Sequence, residues 1–137
     1  MAFATRTLID TGSTDTGSGK IVILIDLSNH DGAGLFLDAH SLTAFANGAK
    51  VNIRKMRWGM VSGDISEDAS GSVKIEFVGA SSNTTAINLA GSGYYDGPMI
   101  YGNATNTTAT SADISGTGIH VTGFLMIELS KASGWTG

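Results

Sequence analysis

The sequence predicts an all-β chain. Three observations carry this: seven or eight short apolar runs, 19 glycines against a single proline to punctuate them, and no long run of 3.6-residue periodicity. Short strands separated by turn residues point to a single-domain antiparallel β-sandwich, or jelly-roll-like fold, over residues 1–137 with a short N-terminal arm. No fixed-period repeat and no linker divides the chain.

Residues 5–10 read as a first short strand carrying Leu8 and Ile9, and residues 10–20 as a polar glycine-rich turn. Residues 20–27 (KIVILIDL) are β-branched and nearly continuous, as in a strand covered on both faces. Residues 28–32 (SNHDG) carry turn chemistry. Asp38 is placed to cap a short helix running to Asn47, with Leu42, Phe45 and Ala46 on one face and Gly48 ending it. In residues 49–61, Val51 and Ile53 alternate with Asn52 and Arg54. The apolar phase then moves to Met56, Trp58 and Met60, and a shift at Arg54-Lys55 is the signature of a β-bulge.

Residues 72–78 alternate Val73, Ile75 and Phe77 with Lys74 and Glu76, and residues 84–89 continue through Ile87 and Leu89. A loop is expected over 91–98, a short strand over 99–101, and a long ordered loop over 102–118 with Ile114 as its sizeable apolar anchor. Residues 119–131 close the sheet with Val121, Leu125, Ile127 and Leu129 on one face.

Composition narrows the function classes. Without cysteine there are no disulfides, thiolate zinc sites or cysteine nucleophiles. The N-terminal residues lack the pattern of a signal peptide, and the longest apolar run, 21–25, is far short of a membrane span. The expectation is a soluble protein made in a cytoplasm, with no membrane partner. Charged residues are 15% of the chain, against about 25% in typical domains. With net charge −4 and no basic cluster longer than residues 54–57, the counterion release that drives nucleic-acid binding has little to work with.

Most short chemical motifs fail on spacing. Leu8-Ile9-Asp10-Thr11-Gly12-Ser13 resembles the active-site loop of aspartic proteases, in which two aspartates share a proton. Asp10 nevertheless stands too near the start to leave room for the strands that position such a loop, and the motif is echoed at once by Asp15-Thr16-Gly17-Ser18. Gly19-Lys20 is no phosphate-binding loop, because Thr14 holds the place of the upstream glycine and Ile21 that of the Ser or Thr. Asp64, Ser66 and Asp68 alternate like the start of a calcium loop, but Ala69 replaces its glycine and Ile75 its final glutamate. His30, Asp31, Asp38 and His40 form a metal site only if their loops meet. The triplets beginning at Asn83, Asn103 and Asn106 match the glycosylation pattern and follow from Ser/Thr/Asn richness. No catalytic residue and no cofactor is expected.

Among the aromatics, Trp58 is in phase with the core. Tyr94 and Tyr95 in a glycine loop, Tyr101, and Trp135 in the tail are candidates for partner contacts, together with Phe3 and Arg6 of the arm.

The succession KIVILIDL, KVNIRKMRWGM, VKIEFVG, INLAGSGYYDG, ATSADISGTG and HVTGFLMIELSK resembles small virion structural proteins of marine tailed bacteriophages, the capsid decoration or cement type. The resemblance covers nearly the whole chain as a pattern of strands and loops. It implies a non-enzymatic protein folded in a bacterial cytoplasm and carried on the capsid surface of the virion, often as a homotrimer, with the major capsid protein as partner. Contacts are then expected from residues 2–6 by strand addition and from loops 91–98 and 102–118. The alternatives are a tail- or fibre-associated carbohydrate-binding virion protein using Tyr94, Tyr95, Tyr101 or Trp135, and, more remotely, an aspartic protease through Asp10-Thr11-Gly12.

Overall fold

A computed structural model describes residues 2–11, 19–62, 71–102, 106–132 and 134–135. The fold is all-β and antiparallel, with eight strands among the described residues: β1 (Ala2–Thr11), β2 (Lys20–Leu37), β3 (Val51–Ser62), β4 (Ser72–Phe77), β5 (Thr84–Ala90), β6 (Ser92–Tyr95), β7 (Ile100–Tyr101) and β8 (Ile114–Lys131).

The last strand organises the rest. Along its second half β8 is flanked by β2 and β3, and the sheet extends to β1 on one side and to β6 and β7 on the other. Along its first half it is flanked by the end of β2 and by β4, which pairs with β5. One sheet thus bends over on itself, and β3 packs against β4 and β5 without a strand ladder between them. The result is sandwich-like, built from a single creased sheet. A single core cluster joins Ile21, Ile23, Ile25, Leu125, Ile127 and Leu129 to Val73, Ile75, Phe77 and Ile114. Alternate residues of β2 and β8 supply it because side chains on a strand alternate between faces.

The crease has a local cause. Asn29 (φ 44°) and Gly32 (φ 109°) bend β2, and His120 (φ 41°) and Gly123 (φ 144°) bend β8 beside them. A Cβ on Gly123 would stand 1.9 Å from the Gly59 carbonyl oxygen, so only glycine allows β3 to lie this close. The Asn29 amide donates to Thr122 Oγ1 at 2.8 Å, which ties the two bends together.

Several sequence expectations change here. The turn chemistry at 28–32 is a crease inside one continuous strand, because β8 bends in step and keeps pairing. The helix expected from Asp38 to Asn47 is only a 3-10 turn, Ala39–Ser41, with Asp38 accepting from the His40 amide. The loop expected over 91–98 contains β6, held against β3. The loop expected over 102–118 gives way at Ile114 to the first residues of β8. Before that strand Asn106, Ser111, Ala112 and Asp113 are buried, so this segment fills the sandwich end, with only 107–110 exposed among the residues described there. The bulge in β3 is where the sequence places it, between Ile53 and Lys55.

Candidate functional site

The outer face of the β1–β2–β8–β3–β6 sheet is assembled by register. Directly opposed residues of antiparallel strands share a face. Arg6, Leu24, Met126, Arg57 and Tyr94 therefore form one row across five strands. Beside it run Ile9, Val22, Glu128 and Lys55, and then Thr11, Lys20, Ser130, Asn52 and Tyr101.

The β3 bulge decides the chemistry of this face. Val51 and Ile53 point into the core; without the extra residue Lys55 and Arg57 would follow them there. The bulge turns both cations outward and sends Met56 inward. Burying two unpaired cations would cost several kcal/mol each, so the irregularity is what lets this strand fold at all. Five of the eight Lys and Arg residues, namely Arg6, Lys20, Arg54, Lys55 and Arg57, collect here against Asp26, Asp96 and Glu128 out of twelve acidic residues. Glu128 takes Lys20 at 4.0 Å and Arg54 at 3.8 Å. No ion pair among the described residues engages Lys55 or Arg57.

A hollow of about 350 Å³ opens on this face over Val22 and Met126, with Lys55, Arg57, Tyr94, Asp96 and Glu128 around it. A second, of about 110 Å³, shares Lys55 and Asp96 and continues past Arg54 to Met99. Together they form an open trough with an apolar floor and a polar rim. Tyr94 stands 73% exposed beside it. Tyr95 donates its hydroxyl to the Pro98 carbonyl at 2.5 Å, fixing the turn that carries Asp96. Tyr101, 75% exposed, belongs to the same face farther along β3.

The other expected contact residues divide. Arg6 is exposed on the outer face, in the trough's row. Phe3 turns inward, edge-on to His30 at 4.8 Å and to Phe36 at 5.2 Å. Trp135 is a correction: it is 4% exposed, donates Nε1 to the Lys50 carbonyl at 2.6 Å and packs on Phe45 at 5.7 Å. The tail reverses at Gly134 (φ 89°), which lies against the Gly48 and Ala49 backbone, and the indole plugs the sandwich. Trp58, in phase with the core, is half-buried and donates to the Ala90 carbonyl at 3.1 Å.

Asp10 accepts from Lys131 Nζ and from the Thr43 amide, both at 2.7 Å. Burial by itself would raise its pKa, but these donors outweigh it and hold the carboxyl below its ordinary 3.8. A carboxylate fixed in this way is poorly suited to sharing a proton with a second aspartate. Residues 12–18, the rest of the DTGS repeats, lie outside the described residues, as do Asp64, Ser66 and Asp68. The four residues proposed as metal ligands part company. His30 is buried among aromatics, Asp31 faces His120 at 3.7 Å, Asp38 caps the 3-10 turn, and His40 lies edge-on to Phe45. Among the described residues no three His, Asp or Glu side chains gather in a metal-binding group. Asn106 is buried, with Nδ2 donating to the Val78 carbonyl at 2.8 Å, so it presents no glycosylation site in the folded protein; residues 103–105 lie outside the described residues.

No family model, curated protein or solved structure matches this chain.

Proposed function

We propose that the protein is a non-catalytic virion structural protein, a capsid decoration protein that binds the major capsid lattice as a homotrimer on the capsid surface and stabilises it. The observation that carries this reading is the open edge of β1. This strand runs ten residues, pairs among the described residues only with β2, and exposes every side chain from Ala4 to Ile9. It has no proline and only Arg6 and Asp10 as charges, so the register shift at Leu8 and these two charges are the devices it has against edge pairing. Leu8 and Ile9 add exposed apolar surface to unpaired backbone. Such an edge is suited to strand addition by a neighbouring chain. Many modest contacts repeated over symmetric copies then give retention by avidity without one strong site.

The test leaves Phe3 in place, since it packs inside the crease. Thr5→Lys with Thr7→Lys puts two cations on exposed positions of the edge. The variant is expected to remain folded, to lose the trimer in light scattering, and to wash off purified capsids that retain the parent chain. Unchanged association and retention in the variant would overturn the reading.

A further inference from the structure

We propose that the outer-face trough is a binding site for a carboxylated polysaccharide, a chain of pyranose rings bearing uronate groups. The proposal stands apart from the capsid reading, which rests on the β1 edge, and either can fail alone.

The trough is of binding-site size, since small-molecule and cofactor sites commonly span about 300–1,000 Å³. Its two hollows share Lys55 and Asp96 in their linings, so successive units of one chain could occupy both. Lys55 and Arg57 are cations without an ion-pair partner among the described residues, held on a rigid strand by the bulge and aimed outward. In a chain of net charge −4, collecting five of eight cations on one face makes that face complementary to an anion. The planar guanidinium of Arg57 can take a carboxylate through two parallel hydrogen bonds.

The neighbours of these cations choose among anionic partners. Asp96 and Glu128 are acceptors within the same trough. They repel the carboxylates of either kind of polyanion, but a uronate ring brings several hydroxyls that can donate to them, where an acidic polypeptide brings one backbone amide per residue. Tyr94 offers an exposed aromatic face beside the cations, and Met126 and Val22 an apolar floor, both suited to the C–H faces of pyranose rings. A trough that offers donors, acceptors and an aromatic platform together matches an acidic sugar better than an acidic peptide.

Titration calorimetry on the full chain, with an oligomannuronate as probe, tests this. Oligoglutamate of equal charge and a neutral malto-oligosaccharide serve as comparisons. The oligomannuronate is expected to bind with Kd of about 1 mM or tighter, and both comparisons at least about ten-fold more weakly, a difference of about 1.4 kcal/mol. Lys55→Gln with Arg57→Gln should abolish the heat of binding. Tyr94→Ala should weaken it about ten-fold. Lys74→Gln, which removes a cation from β4 outside this face, should leave it unchanged. All these positions are at least partly exposed, so circular dichroism should show a native fold for each variant. No binding by the parent chain overturns the proposal. So does equal binding of oligoglutamate, or wild-type affinity in Tyr94→Ala, because either outcome marks a patch that attracts any polyanion.

Discussion

The two ends of β1 are fastened to the body of the sheet by opposite means. At the C-terminal end, Asp10 meets Lys131 Nζ at 2.7 Å, and the same ammonium donates to the Thr43 carbonyl at 2.8 Å beneath the Trp135 ring. The Lys131 side chain is fully buried and its charge is answered. At the N-terminal end, Phe3 closes over His30 and Phe36 in a cluster of edge-on rings. His30 is 4% exposed, and neither ring nitrogen has a hydrogen-bond partner among the described residues. One anchor is a polar network with its needs met. The other is an apolar cage closed around a polar ring whose needs are not. The protein therefore depends on its charged anchor far more than on its histidine, and the two respond to substitution with opposite signs.

The largest effect is expected at the charged end. Asp10→Ala removes the carboxylate at 2.7 Å from the buried Lys131 ammonium, and should cost roughly 3 kcal/mol in urea unfolding. Lys131→Met leaves Asp10 instead. That carboxylate is partly exposed and keeps the Thr43 amide, so its loss should be nearer 1 kcal/mol. If the two variants cost the same, the asymmetry described for this pair is wrong. The network has a pH window of its own. With the folded pKa of Asp10 held below 3.8, its contribution is complete above that value and is lost as pH falls through the folded pKa.

The aromatic end is next. A Cβ on Gly116 would stand 2.0 Å from Phe36 Cε2, and that ring is buried between Phe3 and the β8 backbone. Gly116→Ala should therefore destabilise by about 1–3 kcal/mol through overpacking and loosen the hold on Phe3. Amide exchange read along β1 separates the anchors: this variant should expose residues 3–5 first, and Asp10→Ala residues 9–11.

What could be read from the sequence follows the range of each signal. The β3 bulge was legible because its cause is local: two cations fall into the apolar phase, and the phase must break. Strand alternation in 72–77 and 121–131 was legible for the same reason. The crease was not. Asn29 and Gly32 are ordinary turn residues, and only the matching bend at His120 and Gly123, some ninety positions later, keeps the strand paired through them. Lys131 continues the inward phase of Leu125, Ile127 and Leu129, which is a sign that it is buried. Its partner Asp10 is 121 positions away, where the DTGS pattern invited a different explanation. Trp135 was misplaced because nothing beside it in the chain shows that Gly134 turns it back under Lys50. For the trough, Tyr94 and Tyr101 were visible as exposed aromatics. Lys55 and Arg57 joined them only through register.

The smallest predicted effect is a test of the histidine. Burial lowers the His30 pKa below its ordinary 6.5; the Gly32 backbone, which lies near the ring without meeting either nitrogen at hydrogen-bond geometry, and the Asp31 carboxylate oppose this weakly. A histidine depressed in this way binds its proton more readily in the unfolded chain. The contribution of His30 is therefore flat above about pH 6.5 and declines as pH falls from there toward the folded pKa. Asp113 has the opposite sign lower in the range, since burial raises its pKa above 3.8 and acid favours the fold through it, so the parent curve mixes the two. His30→Leu isolates the histidine. It fills a similar volume without polar atoms and should gain about 1 kcal/mol at neutral pH by removing an unsatisfied buried group. The decline beginning near pH 6.5 should vanish from its urea-unfolding curves while the loss due to Asp10 at low pH remains. If His30→Leu is instead destabilised and keeps the decline, the ring has a partner that the described residues do not show, and the contrast between the two anchors fails.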